Sequence, residues 1–281
     1  MSYIQSSFGS KGWYPPTEQE LNAFMAQYMQ PHPNGQQGAI SALICPHAGY
    51  TYSGRILGQT MQYTCNQAYE RIIVISPSHY VSLGNQCVVP GVKYLRTEFG
   101  ESNLDTDCVN TLKQEDYCIE GDDIVEKEHG IWMMMPFLQK LHPNTPVCPI
   151  VIGDLTCETL FNLADTLKPF TANALIVISS DFTHYGHMFS YVPFTQNISQ
   201  QIQDIDFKAR DFIVNNDFQG FWDWFQATSP TICGRFGIAT LLYMLKKRDT
   251  KVMHTCYEQS GALTNDWDHT VSYLGMAIGV S

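Results

Sequence analysis

Short apolar runs alternate with longer amphipathic stretches along this 281-residue chain. Residues 72–75 and 175–178 are apolar without interruption, which is typical of strands that a sheet buries on both faces. A capping-box pattern at residues 17–20, followed by apolar residues at helical spacing, predicts an amphipathic helix over residues 17–30. The pattern therefore combines buried strands with amphipathic helices.

The order of these elements indicates the fold class. Strands separated by helices favour a mostly parallel or mixed sheet that helices cover on both faces. No linker rich in Pro, Ser or Gly interrupts the chain, so we expect a single α/β domain over residues 1–281. The remaining predicted strands are residues 42–45, 71–76, 86–90, 147–152, 174–179, 251–257 and 269–278, and the remaining helical stretches are residues 54–64, 131–141, 157–167 and 199–247.

Composition and charge exclude several classes of protein. A hydrophobic content of 44% excludes intrinsic disorder, and a net charge of −11 disfavours binding to nucleic acid or to an anionic membrane. No apolar run approaches the ~20 residues that cross a bilayer, and the first residues do not resemble a secretory signal. Nine cysteines without a CxxC pair indicate free thiols. We therefore expect a cytoplasmic protein that neither binds nucleic acid nor inserts into membranes.

Histidines follow three of the predicted strands. His47, His79 and His184 each come shortly after the end of a strand, and Asp181 precedes the last of them. Ligands bind beyond the carboxyl ends of strands in open α/β sheets, so the three imidazoles can converge on one site. A single histidine in such a place can simply end a strand, but three together favour a metal site or an acid–base site.

A thiol and a fourth histidine are further candidates. Cys233 stands beside Gly234 and Arg235 at the expected start of a helix, where the helix N-terminus and the cation favour the thiolate that binds metals. The alternative for Cys233 is a small buried hydrophobic residue. His129 follows Glu128 and is expected to be a supporting donor, a general acid or simply an exposed residue. Three other histidines, His32, His142 and His254, lie beside turn signals and are expected to be solvated.

Motifs at these positions resemble those of the Memo family. They are GWYP at residues 12–15, PHAGYTYSG at 46–54, SPSH at 76–79, EH at 128–129, SSDFTH at 179–184 and CGR at 233–235. They follow the family's order and spread over most of the chain. Memo proteins are similar in fold to the class III extradiol dioxygenases (the LigB-like fold). The resemblance therefore implies a central sheet flanked by helices, with a pocket at the strand ends.

The resemblance also implies a set of metal ligands. Carried over by position, His47, His79 and Cys233 would bind a metal ion, with Asp181 and His184 in the same pocket. Residues near that pocket or in its wall would be Trp13, Tyr52, His129 and Arg235. A thiolate ligand favours copper, iron or zinc over magnesium or calcium. We therefore expect copper or iron, with zinc as the alternative.

Three functions remain open at this point. The first is a metal-dependent oxidoreductase for a small molecule, using copper or non-haem iron, in which the catalytic residues are His184, which moves protons, and Asp181, which orients it. The second, implied by the resemblance, is a non-catalytic module in cell-motility signalling that binds a phosphotyrosine peptide, for which Arg235, Arg55 and Arg96 are the nearest cations. The third is a metal-free structural protein whose cysteines are sensitive to oxidation.

Overall fold

A computed structural model describes residues 3–29, 38–246 and 248–280 of the chain. The strands of this part are β1 (Tyr3–Gln5), β2 (Ala42–Cys45), β3 (Arg71–Pro77), β4 (Cys87–Val89), β5 (Tyr94–Thr97), β6 (Gly100–Asn103), β7 (Cys118–Glu120), β8 (Val147–Ile152), β9 (Ala174–Ser179), β10 (His184–Gly186), β11 (Thr250–Gln259) and β12 (His269–Val280). The helices are α1 (Glu18–Tyr28), α2 (Tyr50–Met61), α3 (Thr106–Leu112), α4 (Asp122–Lys127), α5 (His129–Trp132), α6 (Met135–Leu141), α7 (Cys157–Leu167), α8 (Ile198–Val214), α9 (Phe218–Thr228), α10 (Arg235–Leu245) and α11 (Ser260–Thr264).

The described strands form one large mixed sheet and one small sheet. At the centre of the large sheet, β2, β9, β3 and β8 lie side by side in that order and run parallel. β12 pairs antiparallel with β2 on one side, and β4 pairs antiparallel with β8 on the other. β10 and β11 extend the sheet beyond β12, and β7 extends it beyond β4, while β1, β5 and β6 form the small sheet. This architecture confirms the predicted α/β fold with a central mixed sheet flanked by helices.

Helices cover both faces of the large sheet. Ile73 and Ile75 of β3 pack in a core with α7, α9 and α10, whereas Ile72 and Val74 pack in a second core with α1, α2 and α6. Because each face of the strand is buried, the run needs no alternation of apolar and polar residues. The described helices do not cover the carboxyl ends of the four parallel strands. Loops that carry polar side chains lie at this edge of the sheet.

Agreement with the predicted bounds is best for the continuous apolar runs. Residues 42–45, 147–152, 157–167 and 174–179 form the elements predicted for them. The long helical stretch at residues 199–247 resolves into α8, α9 and α10. No helix within the described ranges is long and apolar enough to cross a bilayer.

Three further predicted helices differ from the structure at their ends or in their continuity. The helix predicted over residues 54–64 begins earlier, at Tyr50, and ends at Met61. The stretch 131–141 is divided between α5 and α6, because Pro136 stands in the first turn of α6 and has no N–H to continue a helix. α1 follows its N-cap Thr17, whose hydroxyl accepts a hydrogen bond from the N–H of Glu20, and it ends at Tyr28. The rest of that prediction, with the two prolines at 31 and 33 and with His32, lies outside the described residues.

The expectation of a solvated His142 is wrong. The residue is only 6% exposed, and its Nε2 lies 2.9 Å from the hydroxyl of Thr64. That hydroxyl donates to the carbonyl of Met61, so the imidazole must be the donor to it. Burial lowers the pKa of His142 to about 4. The folded protein therefore holds His142 neutral at pH values where the unfolded chain protonates it.

This shift predicts that the protein loses stability in acid. The contribution of His142 is complete above the unfolded pKa of ~6.5 and is lost as the pH falls towards the folded pKa of about 4. Between pH 6.5 and 4.5 the free energy of unfolding should fall by about 2 kcal/mol more in the wild type than in His142→Gln. Urea titrations of both proteins across this range measure the difference, and parallel curves would contradict the assignment.

Candidate metal centre

Two imidazoles and a thiol meet at the carboxyl edge of the large sheet. His47 follows β2, His79 follows β3, and Cys233 stands two residues before α10. One ligand atom of each lies within 4.8 Å of the others, and Cys233 Sγ is 3.2 Å from His47 Nε2. The structure therefore brings together, from three distant parts of the chain, the three residues that the resemblance implies as ligands.

A hydroxyl fixes the orientation of His47. Its Nδ1 is 2.7 Å from Ser179 Oγ, which itself donates to the carbonyl of Gly130. The imidazole must therefore donate through Nδ1, which leaves the lone pair of Nε2 directed at Cys233. Burial, aided by nearby imidazoles including His79, keeps the pKa of His47 well below its usual value. A neutral ring oriented in this way is the form of histidine that binds metals.

A buried carboxylate fixes the orientation of His79. Glu128, which is 1% exposed, accepts from Nδ1 of His79 through Oε1 at 2.7 Å and from its backbone N–H through Oε2 at 2.8 Å. The backbone N–H of Gly130 also donates to Oε1. Burial alone would lower the pKa of His79, but hydrogen bonds and charges from Cys233 and Glu128 outweigh it and raise the pKa to about 10. His79, Glu128 and His129 form a second group that could hold a metal ion. Because N–H donors already engage both carboxylate oxygens, we assign Glu128 as the partner that orients the ligand His79.

Replacing Glu128 should therefore weaken metal binding without removing a ligand. Glu128→Gln places an NH₂ group where N–H donors now point, and the loss of such outer partners typically costs ~10–100-fold in metal affinity. Glu126→Gln, an exposed carboxylate in the same segment, serves as the matched control. Competition with a chromophoric chelator measures both affinities. Equal affinity of the two variants would contradict the role of Glu128.

Backbone contacts hold the thiol of Cys233 in the site. The N–H of Asp181 donates to Sγ at 3.1 Å, and Sγ lies 3.3 Å from the carbonyl oxygen of the same residue. Gly234 allows the close approach, because a Cβ at this position would lie 2.4 Å from Cβ of Ser180. The 3.2 Å contact between Sγ and Nε2 of His47 favours a ligand over the sequence alternative of a small buried hydrophobic residue.

Asp181 does not orient His184, contrary to the sequence-based expectation. Its Oδ1 accepts the backbone N–H groups of His47 at 2.7 Å and of Ala48 at 3.3 Å. Nδ1 of His184 instead lies 2.8 Å from the carbonyl oxygen of Phe182 and 2.9 Å from that of Thr231. Both partners are acceptors, so Nδ1 carries the proton and Nε2 is free to accept one. Asp181 therefore positions the backbone of a candidate ligand, and two carbonyls orient the candidate base.

A cavity of about 440 Å³ opens beside the cluster. Of the two cavities that the described residues form at the site it is the larger, and five of the predicted residues line it: Trp13, Tyr52, His129, Asp181 and His184. His129 is 9% exposed, so the expectation of an exposed residue is wrong. Burial and the neighbouring imidazoles lower its pKa to about 2, so His129 carries no imidazolium proton for general acid catalysis at neutral pH.

The smaller cavity has a volume of about 260 Å³ and contains two of the three candidate ligands in its lining. His79, Cys233 and the predicted Arg235 line it, and it shares no lining residue with the larger cavity. Sequence reasoning missed the supporting contacts of Ser179 and Glu128. A hydroxyl at the end of one strand and a carboxylate before a short helix become partners of the histidines only through tertiary packing.

Comparison with known proteins agrees with these motifs. A family model described as Memo-like protein matches residues 9–277. A protein memo-1 homolog of Caenorhabditis elegans is 27% identical over 288 residues, covering 96% of this chain and 81% of that protein. Protein MEMO1 of Homo sapiens is 27% identical over 286 residues, covering 95% of each chain. A MEMO1 family protein of Thermoplasma volcanium is also 27% identical, covering 93% of each chain.

Proposed function

This chain belongs to the Memo family, and from that premise and the geometry of the site we propose that it is a metal-dependent oxidoreductase in which His47, His79 and Cys233 hold a copper or iron ion. The observation that carries the proposal is the convergence of the three ligand atoms within 4.8 Å. The support is chemical as well as geometric, because Nδ1 of each ring is engaged by another partner, which leaves Nε2 as the ligand atom.

The donor set selects the class of metal. Two imidazole nitrogens and one thiolate suit copper, iron or zinc, whereas magnesium and calcium prefer oxygen ligands. Three protein ligands are the number found in catalytic zinc sites, where the fourth position stays open. When bound, such a metal would supply a Lewis acid and, for copper or iron, a one-electron redox couple.

The residues of the larger cavity provide the rest of the chemistry. His184 has a free Nε2 in a ring that two carbonyls hold in place, so it accepts a proton from a ligand in the cavity. Trp13, whose ring centroid lies 4.8 Å from that of His129, and Tyr52 form the walls against which a small organic substrate packs. Asp181 keeps the backbone of His47 in register with the site.

The phosphotyrosine alternative has less support. Each of the three arginines considered for phosphate recognition already pairs with a carboxylate: Arg235 with Asp154, Arg55 with Glu258 and Arg96 with Glu101. A phosphate dianion would have to displace one of these partners in a chain whose net charge is −11.

Two measurements test the proposal, first the metal content and then the turnover. Protein purified without oxygen should contain close to one equivalent of a transition metal, and His79→Ala should not. Oxygen uptake is then measured with a panel of catechols and thiols. Loss of metal in His79→Ala with uptake in the wild type supports the oxidoreductase, whereas equal metal content in both proteins contradicts the ligand assignment. Metal binding with silence across the whole panel contradicts catalysis of this kind.

A further inference from the structure

The smaller cavity has no role in the proposed chemistry, although it reaches the same cluster. The loops after β3 and β8 and the start of α10 form it. His79 and Cys233 line it, and so does the ion pair between Arg235 and Asp154. Of the residues that line the cavity, Arg235 is the only arginine or lysine.

Arg235 is held in position independently of Asp154. Its guanidinium carbon lies 4.8 Å from the centroid of the Phe236 ring, and Nη1 contacts the carbonyl of Ile232 at 3.4 Å. Nη2 donates to Oδ1 of Asp154 at 2.8 Å. The side chain of Asp154 is 74% exposed, whereas that of Arg235 is 30% exposed. Water can therefore replace Arg235 as the partner of Asp154, and an exposed pair of this kind contributes little to stability.

We propose that Arg235 recognises a carboxylate-bearing small molecule that displaces Asp154 and reaches the cluster on the side of His79 and Cys233. This inference rests on the proposed function, because the other end of the ligand would meet the metal. Asp154 occupies the position that the ligand's carboxylate would take. Because Arg235 is the only arginine or lysine in the lining, the geometry favours the single charge of a carboxylate over a phosphate dianion. A volume of about 260 Å³ suits a small organic acid.

Mercaptocarboxylic acids of increasing chain length test this inference on the cobalt-loaded protein. Their thiolate is expected to bind the cobalt, which is followed by the thiolate-to-cobalt absorption band, and the matched amides lack only the charge. In the wild type the best acid should bind at least ~10-fold more tightly than its amide, because a hydrogen bond to a charged group is being made. Arg235→Gln should abolish this preference, and Arg235→Lys should restore part of it.

A second variant separates recognition from a purely structural ion pair. Asp154→Asn removes the competing carboxylate, so it should tighten acid binding by ~2- to 5-fold and leave amide binding unchanged. A structural pair would instead make Arg235→Gln and Asp154→Asn act in the same direction. That result, or equal binding of acid and amide to the wild type, would overturn the inference and leave the metal site intact. Failure of cobalt to bind, seen before any acid is added, contradicts the metal assignment and this inference with it.

Discussion

His184→Gln should lower turnover by about 10²- to 10⁴-fold while the metal content stays unchanged. Glutamine can still donate to the carbonyls of Phe182 and Thr231, which now hold Nδ1 of the imidazole. Glutamine offers no basic nitrogen in place of Nε2, so the variant loses the proton acceptor. The geometry of the three metal ligands stays the same. The comparison uses a substrate of the catechol and thiol panel that the wild type oxidises.

The matched control for this variant is His269→Gln. His269 lines the same cavity and stacks on Phe189, with 4.9 Å between the ring centroids, but it is solvent-exposed. Its replacement should change turnover little. The pH profile gives an independent readout, because the limb that reports the base should disappear in His184→Gln alone. Retained turnover, or loss of the metal together with turnover, would contradict the role of His184 as a base.

Cys233→Ser should weaken metal binding by at least ~100-fold, since even the loss of an outer partner of a ligand costs ~10–100-fold. A serine hydroxyl is a poor ligand for copper, iron or zinc at neutral pH, whereas the thiolate is a soft ligand that these metals accept. The N–H of Asp181, which now donates to Sγ, can donate to the hydroxyl, so the fold has no reason to change. Chelator competition under anaerobic conditions measures the affinity.

Cys157→Ser is the control for this change. Cys157 is the first residue of α7 and is partly exposed, so it shares with Cys233 a position near a helix start, but it is absent from the cluster. The metal affinity of the Cys157→Ser variant should equal that of the wild type. Unchanged affinity in Cys233→Ser, or an equal loss in both variants, would contradict the assignment of Cys233 as a ligand.

The central part of the fold was predictable because burial on both faces leaves a direct trace in the sequence. The uninterrupted apolar run that becomes β9 has no other simple explanation, and its predicted bounds agree with the structure. The small sheet was missed, because β1, β5 and β6 have three or four residues each and carry no long apolar run. Short strands of this kind are specified by their partners more than by their own residues.

The site was predictable in its members and only partly in its contacts. Three histidines after strand ends pointed to one edge of the sheet, and the structure places them there. The predicted partner of Asp181 was wrong, because the true partner depends on the register of two strands. Cys45 of β2 lies opposite Ser179 of β9, which places the backbone of His47 beside Asp181. His184 is further along the chain, and its turn supplies the carbonyl of Phe182 as a nearer acceptor. No pattern in the sequence predicts this register between the two strands.

X-ray absorption spectroscopy of the zinc-loaded protein tests the central claim most directly, because it reads the ligands around the metal itself. The arrangement of His47, His79 and Cys233 predicts one sulfur at ~2.3 Å and two imidazole nitrogens at ~2.0–2.1 Å, with the sulfur absent in Cys233→Ser. A wild-type spectrum without sulfur, or with the same sulfur in Cys233→Ser, would contradict the account.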